Sequence, residues 1–400
     1  MQRVVIVGAS LAGLRAAQAL RKRGFGGNIT LIGAEPHAPY DRPPLSKQVL
    51  SGEWPAEKLF FHAREKHDAL EVEQRLGVAA RSLDVHAQEL TLADGERIAY
   101  DGLIIATGAR TRTLPAAAGL SGVFCLRTLD DALAIRATLE HRPRVVILGA
   151  GFIGLEVAAS CRKLGLSVHV VEPLALPLIG PLGAAAAGSV LALHRAHGVE
   201  FHLGRTVASA RGDGRIERLM LDDGTLLECD LLIVGIGVDP ETRWLEGSEL
   251  QLEAAGRGLI CDATLATNVP NIVGAGDVVR WPNAGGDERV AVPHWSNAVE
   301  QGSAAAMRLL DGPSTPAFNH LPYFWSDQYD RKLQSAGKVR ANHLFEVVQG
   351  SLEAASFVGL YSHDDRLTGV LTSNAPAAFL RARKLVAQAT PLSEARAAFQ

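Results

Sequence analysis

The residues of this chain best placed to do chemistry are glycines, spaced so that a strand-to-helix turn can receive a phosphate. Gly149, Gly151 and Gly154 follow the apolar run Val145-Val146-Ile147-Leu148 and open a helical segment containing Phe152 and Ile153; Glu172 stands 18 residues past Gly154. In such a turn the first glycine makes the tight bend and the second lets a pyrophosphate approach the backbone. The third lets helix pack on strand, and the helix N-terminus supplies amide donors. A carboxylate at the position of Glu172 accepts hydrogen bonds from a ribose 2′-OH and repels a 2′-phosphate, which favours NAD over NADP. A variant of the arrangement comes first in the chain: Gly8, Ser10 and Gly13 follow Val4 to Val7, with Glu35 lying 22 residues beyond Gly13. A small hydroxyl in the middle position still permits close approach. Either turn alone could be an ordinary strand-to-helix connection, but two of them in one chain predict two dinucleotides. The economical pairing is a tightly held FAD and an exchangeable nicotinamide, because hydride passes between their rings when they stack.

The elements that must position these turns are legible in the apolar runs. Both turns lie in β–α–β units whose strands are continuously apolar, as in a parallel sheet covered on both faces. The first unit continues through a helical run from Leu14 to Arg23 into Ile29–Ile32; the second continues through a helix to Leu164 into Val168–Val171. Three further apolar strands run into glycine: Leu103–Ala106 into Thr107-Gly108, Leu231–Val234 into Gly235-Ile236-Gly237, and Ile272-Val273 into Gly274-Ala275-Gly276-Asp277. After the Gly312–Pro316 break the style changes. Several antiparallel strands are predicted between Leu333 and Thr372, with a hairpin around His363–Asp365 and a helix over about Pro376 to Gln388. The fold class is therefore α/β, two Rossmann-like dinucleotide-binding domains followed by a small α+β domain.

Composition narrows the partners. Forty Lys and Arg against 43 Asp and Glu give a net charge of −3, with no concentrated basic surface for a nucleic acid. An apolar fraction of 47% excludes a disordered chain. No stretch approaches the ~20 apolar residues of a membrane span. The opening run Val4–Val7 breaks at Gly8 and reads as a buried strand rather than a secretory leader, so a cytoplasmic protein is expected. The four cysteines, Cys125, Cys161, Cys229 and Cys261, are separated by 36, 68 and 32 residues. That spacing offers no CxxC and no metal cluster, and His294 and His320 have no partner spacing that suggests a metal either.

A series of motifs then follows in order: Tyr40 to Lys47 (YDRPPLSK), Ala106-Thr107-Gly108, Gly149 to Glu156 (GAGFIGLE), Thr267 to Asp277 ending in GAGD, and Pro322 to Gln328 (PYFWSDQ). Together they resemble the FAD-dependent ferredoxin reductases that serve Rieske-type dioxygenases and bacterial cytochromes P450, and the resemblance spans the whole chain. Apoptosis-inducing factor and rubredoxin reductases share the architecture. The resemblance implies a discontinuous FAD domain over 1–111 and 239–316, an NAD domain over 112–238 and a C-terminal domain over 317–400. It implies that Gly8, Ser10, Ala12, Gly13, Glu35, Arg42, Lys47, Ala80, Thr107, Gly108, Arg127, Asp277, Trp295 and Trp325 serve FAD. Gly149, Gly151, Phe152, Ile153, Gly154, Glu172 and Gly237 would serve NADH. It also pairs Lys47 with Glu156 near the nicotinamide as the catalytic couple. Each has a plain alternative: a solvated Arg42 and Lys47, a helix-capping Asp277, tryptophans that are only core, and an ordinary helix-surface acid at Glu156.

Relatives that reduce disulfides carry a redox cysteine pair beside the flavin. None is present here, so the electrons are expected to leave the protein; the resemblance implies that they pass, one at a time, to a [2Fe–2S] ferredoxin and through it to a terminal oxygenase. A monomer or weak homodimer is expected. The stretch Pro173 to Gly180 looks shortened and lacks the arginines often found there, which leaves NADP still less favoured. Arg110, Arg112, Arg331, Lys332, Arg381, Arg383 and Lys384 are candidates to steer an acidic partner. A rubredoxin reductase or NADH oxidase, or a redox signalling flavoprotein resembling apoptosis-inducing factor, are the competing readings.

Overall fold

Strands that are apolar at every position must be buried on both faces, and the computed structural model places them so; it describes residues 1–61, 70–254, 257–283, 288–340 and 342–400. The chain divides into two compact units, Met1–Asp41 with Glu57–Arg110 and Val238–Pro322, and Arg42–Ala56 with Thr111–Gly237 and Tyr323–Gln400.

The first unit is built on a five-stranded parallel sheet. Strand β1 (Arg3–Val7), helix α1 (Leu11–Lys22) and strand β2 (Asn28–Gly33) form the opening unit. The order across the sheet is Ile272–Gly274, Gly102–Ile105, β1, β2 and Val72–Leu76, all parallel. In register, Val7 faces Ile32 on one side and Ile105 on the other, so three strands end together where the first glycine turn begins. The core is made of Val4–Val7, Ile29, Leu31, Ile32 and Leu103–Ile105 with the fully buried Trp281. Helix α1 starts directly after Ser10, three residues earlier than the apolar run predicted.

The second unit repeats the plan. Strand β3 (Val145–Leu148), helix α2 (Phe152–Lys163), strand β4 (Val168–Glu172) and helix α3 (Ile179–Ala196) follow one another. The sheet order is Glu200–Leu203, β4, β3, Leu231–Val234 and Val123–Phe124, all parallel. The short stretch after Glu172 leads straight into α3, which is kinked at Gly183 where φ is 73°.

An antiparallel sheet completes this unit: β5 (Tyr323–Gln328), β6 (Arg331–Gly337), β7 (Leu344–Gly350), β8 (Phe357–His363) and β9 (Arg366–Ser373), in the order β5-β6-β9-β8-β7. The expected hairpin joins β8 to β9. His363 pairs with Arg366, and Asp364 and Asp365 both take positive φ, which a two-residue turn between twisted strands requires. Helix α4 (Pro376–Ala387) matches the expected helix, and a last helix, α5 (Leu392–Ala397), was not anticipated. The sheet also begins earlier than expected, at Tyr323, because the mixed run YFWSDQ hides a strand whose alternate residues Ser326 and Gln328 are polar yet buried. Leu333, Phe357, Tyr361 and Leu371 of this sheet share one core with Leu155, Val157, Ala158 and Cys161 of α2. Helix α2 is consequently buried on all sides from Gly154 to Cys161. No helix among the described residues is long and apolar enough to cross a membrane.

Candidate functional site

The second glycine turn separates its glycines by purpose. Gly149 takes φ 94°, and a Cβ there would lie 2.4 Å from the carbonyl oxygen of Gly235, so only glycine closes the turn. A Cβ on Gly154 would lie 2.2 Å from Gly149 O, which is the helix-on-strand contact. Gly151 differs: a Cβ there would meet nothing within 4 Å. It caps α2 with no side chain covering the first-turn amides, leaving open space over donors that suit a phosphate. Glu172 is buried at the end of β4. Its Oε2 accepts the Ala150 N–H at 2.7 Å and its Oε1 accepts the Leu174 N–H at 3.0 Å. The carboxylate thus ties the turn together and keeps lone pairs for a further donor. Ile153 is 49% exposed, Gly237 is exposed at φ 102°, and the Phe152 ring packs against Phe324 with centroids 4.5 Å apart.

In the first unit, a Cβ on Gly8 would lie 2.1 Å from Ala106 O, so the first turn closes as the second does. Ser10 is the N-cap residue of α1 but makes no capping bond, and Ala12 and Gly13 are buried in the first helical turn. Glu35, just past β2, accepts the Tyr40 hydroxyl at 2.5 Å. Thr107 Oγ1 donates to Glu241 O at 2.7 Å, Gly108 takes φ 68°, and Ala80 begins the strand Ala80–Asp84. Asp277 lies inside the short 3-10 turn Gly276–Val278, not at a helix N-cap; the Gly276 N–H donates to Gln301 Oε1 at 2.8 Å and fixes that turn. Trp295 opens the helix Trp295–Asp311, and its indole N–H donates to Asp41 Oδ1 at 2.8 Å.

In the second unit Pro43–Ser46 of the YDRPPLSK run folds as a 3-10 turn flanked by Arg42 and Lys47. Arg42 Nη1 donates to Arg127 O at 2.6 Å, so these two predicted residues come together. Arg127 leads into a helix whose N-terminus carries a capping box between Thr128 and Asp131. The Lys47 ammonium lies 3.0 Å from Glu156 Oε2, which also accepts the Ser46 hydroxyl at 2.5 Å. Ser326 Oγ donates to Glu156 Oε1 at 2.7 Å. Glu156 is only 3% exposed, so the reading of it as a helix-surface acid is wrong: the antiparallel sheet covers a face of α2 that the sequence pattern left open. Trp325, half-buried on β5, stacks with Tyr323 at 5.8 Å.

Sequence reasoning missed four residues around this pair: Ser46, Ser326, Gln328 and His194. The run YFWSDQ carries no alternation that would have marked Ser326 and Gln328, and Ser46 and His194 lie in other elements. The candidate docking cations fare unevenly. Arg331 Nη1 donates to Ala354 O, Arg381 Nη1 donates to Ala398 O at 2.5 Å, and Arg383 lies 5.5 Å over the Tyr323 ring. Arg110 pairs with Asp239 at 3.7 Å, whereas Arg112, Lys332 and Lys384 are exposed. All four cysteines are free thiols, and burial pushes Cys161 and Cys229 up to about 12 and Cys261 higher still.

The chain is 38% identical over 397 residues to the rhodocoxin reductase of Rhodococcus erythropolis, covering 99% of this chain and 92% of that one. A putidaredoxin reductase of Pseudomonas putida is 33% identical over 97% of this chain and 92% of its own length. Among solved structures, the covalent putidaredoxin reductase–putidaredoxin complex matches at TM-score 0.92 with 32% identity, covering 99% of this chain and 98% of the other. Residues 323–399 match the reductase C-terminal family. Residues 2–302, which hold both glycine turns and the Lys47–Glu156 pair, match the pyridine nucleotide-disulphide oxidoreductases, and to that family this chain belongs.

Proposed function

We propose that this protein is an NADH-dependent ferredoxin reductase that uses FAD to supply a [2Fe–2S] ferredoxin serving an oxygenase. Two closed glycine turns, each at the end of a parallel strand, suit two dinucleotides. The open space over Gly151 and the uncapped amides of α2 fit a pyrophosphate. FAD, when bound, accepts two electrons as a hydride and releases them singly. One NADH and two oxidised ferredoxins then yield NAD⁺, one proton and two reduced ferredoxins. Gly8, Ser10, Ala12, Gly13 and Glu35 would hold the adenosine half of FAD, with Arg42, Ala80, Thr107, Gly108, Arg127, Asp277, Trp295 and Trp325 along the remainder. Gly149, Gly151, Phe152, Ile153, Gly154, Glu172 and Gly237 would hold NADH, with Glu172 accepting from the ribose.

The observation that carries the reading is the buried Lys47–Glu156 pair. Burial of an unpaired carboxylate is costly, and Lys47, Ser46 and Ser326 together offset that cost. Glu156 in turn fixes the direction of a fixed positive charge, which stabilises negative charge developing on a reduced ring. The four cysteines are free and form no redox pair, which fits an acceptor outside the protein. Relatives named as ferredoxin reductase components, such as that of the chlorobenzene dioxygenase of a Cupriavidus species, support the class of acceptor. We place the protein in the cytoplasm, as a monomer or weak homodimer. Exposed Arg112, Lys332 and Lys384 are candidate contacts for an acidic ferredoxin.

The test is cytochrome c reduction by NADH with and without a [2Fe–2S] ferredoxin. Reduction that depends on ferredoxin supports the proposal. NADH consumption at the same rate without it, with oxygen consumed, favours an oxidase; NADH-dependent dimerisation with slow turnover favours the signalling reading.

A further inference from the structure

Behind Glu156 runs a chain of buried polar groups that the reaction as described does not use. Ser326 Oγ lies 2.7 Å from Glu156 Oε1, Gln328 Nε2 lies 3.0 Å from Ser326 Oγ, and His194 Nε2 lies 2.9 Å from Gln328 Oε1. The Tyr329 hydroxyl, 3.1 Å from His194 Nδ1, ends the line, and its ring stacks on His197 at 3.6 Å. Ser326, Gln328 and His194 are each 0% exposed. They come from β5 and α3, far from Glu156 in sequence.

The chemistry of each group fixes the direction of the next. An ionised Glu156 only accepts, so the Ser326 hydroxyl must donate to it. The Ser326 oxygen then accepts from the Gln328 amide nitrogen, which turns the Gln328 carbonyl oxygen toward His194. His194 must therefore carry its proton on Nε2, and Nδ1 is left to accept from the Tyr329 phenol. Burial holds His194 well below its ordinary range, at about 4, so the ring is neutral and this single tautomer is available. Every donor points toward Glu156. Aligned hydrogen bonds polarise one another, and this line ends on a carboxylate.

We propose that Ser326, Gln328 and His194 are positioning residues for Lys47. Their donor chain fixes the plane of the Glu156 carboxylate, and Glu156 hands that orientation to the ammonium. The Oε2 atom is shared by Lys47 and Ser46, whereas Oε1 is held by Ser326 at the end of the chain. Rotation of the carboxylate would swing both partners together. The inference rests on the role given to Lys47 above but is tested without reference to any electron acceptor.

Two measurements on the purified holoenzyme decide it. In ¹⁵N-histidine NMR, the signal assigned by its loss in His194→Gln should be a neutral ring protonated at Nε2 that does not titrate between about pH 5.5 and 9. A ring protonated at Nδ1, or one titrating near its ordinary value, overturns the proposal. Gln328→Met keeps the volume and removes the donor. It should slow the limiting rate of NADH-driven flavin bleaching by on the order of tenfold, with NADH affinity unchanged. Ser326→Ala should do the same if Gln328→Met fails to fold. An unchanged limiting rate in a folded variant overturns the proposal, whether or not ferredoxin is the acceptor.

Discussion

Lys47 and Glu156 stand 109 positions apart in the chain and meet at 3.0 Å, with only 11% and 4% of their side chains exposed. An ion pair this deeply buried is weak evidence for stability in itself, because desolvation of both charges opposes their attraction. Its value lies in holding one positive charge in one direction. Removing either partner strands the other.

Lys47→Ala should therefore act twice. It should lower stability by about 3–5 kcal/mol, as loss of one member of a buried pair does. It should also slow NADH-driven flavin bleaching in stopped flow by at least about tenfold. A variant of normal rate would remove Lys47 from the machinery.

Glycines of one turn should separate folding from binding. Gly149→Ala places a Cβ 2.4 Å from a carbonyl oxygen at positive φ, so the protein should fail to accumulate or melt far below the parent. Gly151→Ala meets nothing and should fold normally, yet its methyl would occupy the approach path of a pyrophosphate. NADH affinity, followed by fluorescence titration, should fall while the melting temperature holds. Unaltered affinity in a folded Gly151→Ala would place the nucleotide elsewhere.

Glu172 accepts hydrogen bonds from two backbone amides, those of Ala150 and Leu174. Glu172→Ala should consequently not convert the protein to NADPH. Both amides lose their acceptor, at roughly 1–3 kcal/mol for each that stays buried, and the turn loosens. Dissociation constants for both nucleotides measure this. Weakened NADH binding with no gain for NADPH is expected; a clean gain for NADPH would limit Glu172 to the ribose contact.

His194 should make the protein acid-sensitive. Unfolded histidine titrates near ~6.5, and burial lowers the folded group to about 4. Between those values the unfolded chain binds the extra proton. The contribution is thus fully present above about pH 6.5 and is lost as pH falls toward 4, at roughly 1.4 kcal/mol per pH unit. Melting temperatures between about pH 7 and 4.5 should fall more steeply for the parent than for His194→Gln. Parallel curves would show that His194 does not govern this window.

The thiols should be silent. Cys161, Cys229 and Cys261 are buried with raised pKa values, so almost none is thiolate at neutral pH. Ellman's reagent should titrate at most Cys125 in the native protein and all four after denaturation. Rapid native reaction of a second thiol would contradict the burial.

The sequence by itself determined the central strands of both parallel sheets and both turns, though not the edge strands Val72–Leu76, Glu200–Leu203 and Val123–Phe124. The signals of the central strands and the turns are local: a strand buried on both faces is apolar at every position, and a turn that receives a phosphate must place glycine at fixed offsets. The hairpin at Asp364-Asp365 and the helix from Pro376 were legible for the same reason. Only the tertiary structure decided what surrounds Glu156. Three partners of its carboxylate, Ser46, Lys47 and Ser326, arrive from segments more than a hundred residues away on either side, and neither β5 nor α3 carries a periodicity that points to α2. The buried polar residues of β5 break the apolar alternation that marks a strand, so the element hid behind the residues that matter most in it. Polar groups are buried only where another element supplies their partners, and that match is a property of the packed fold rather than of any local run of residues.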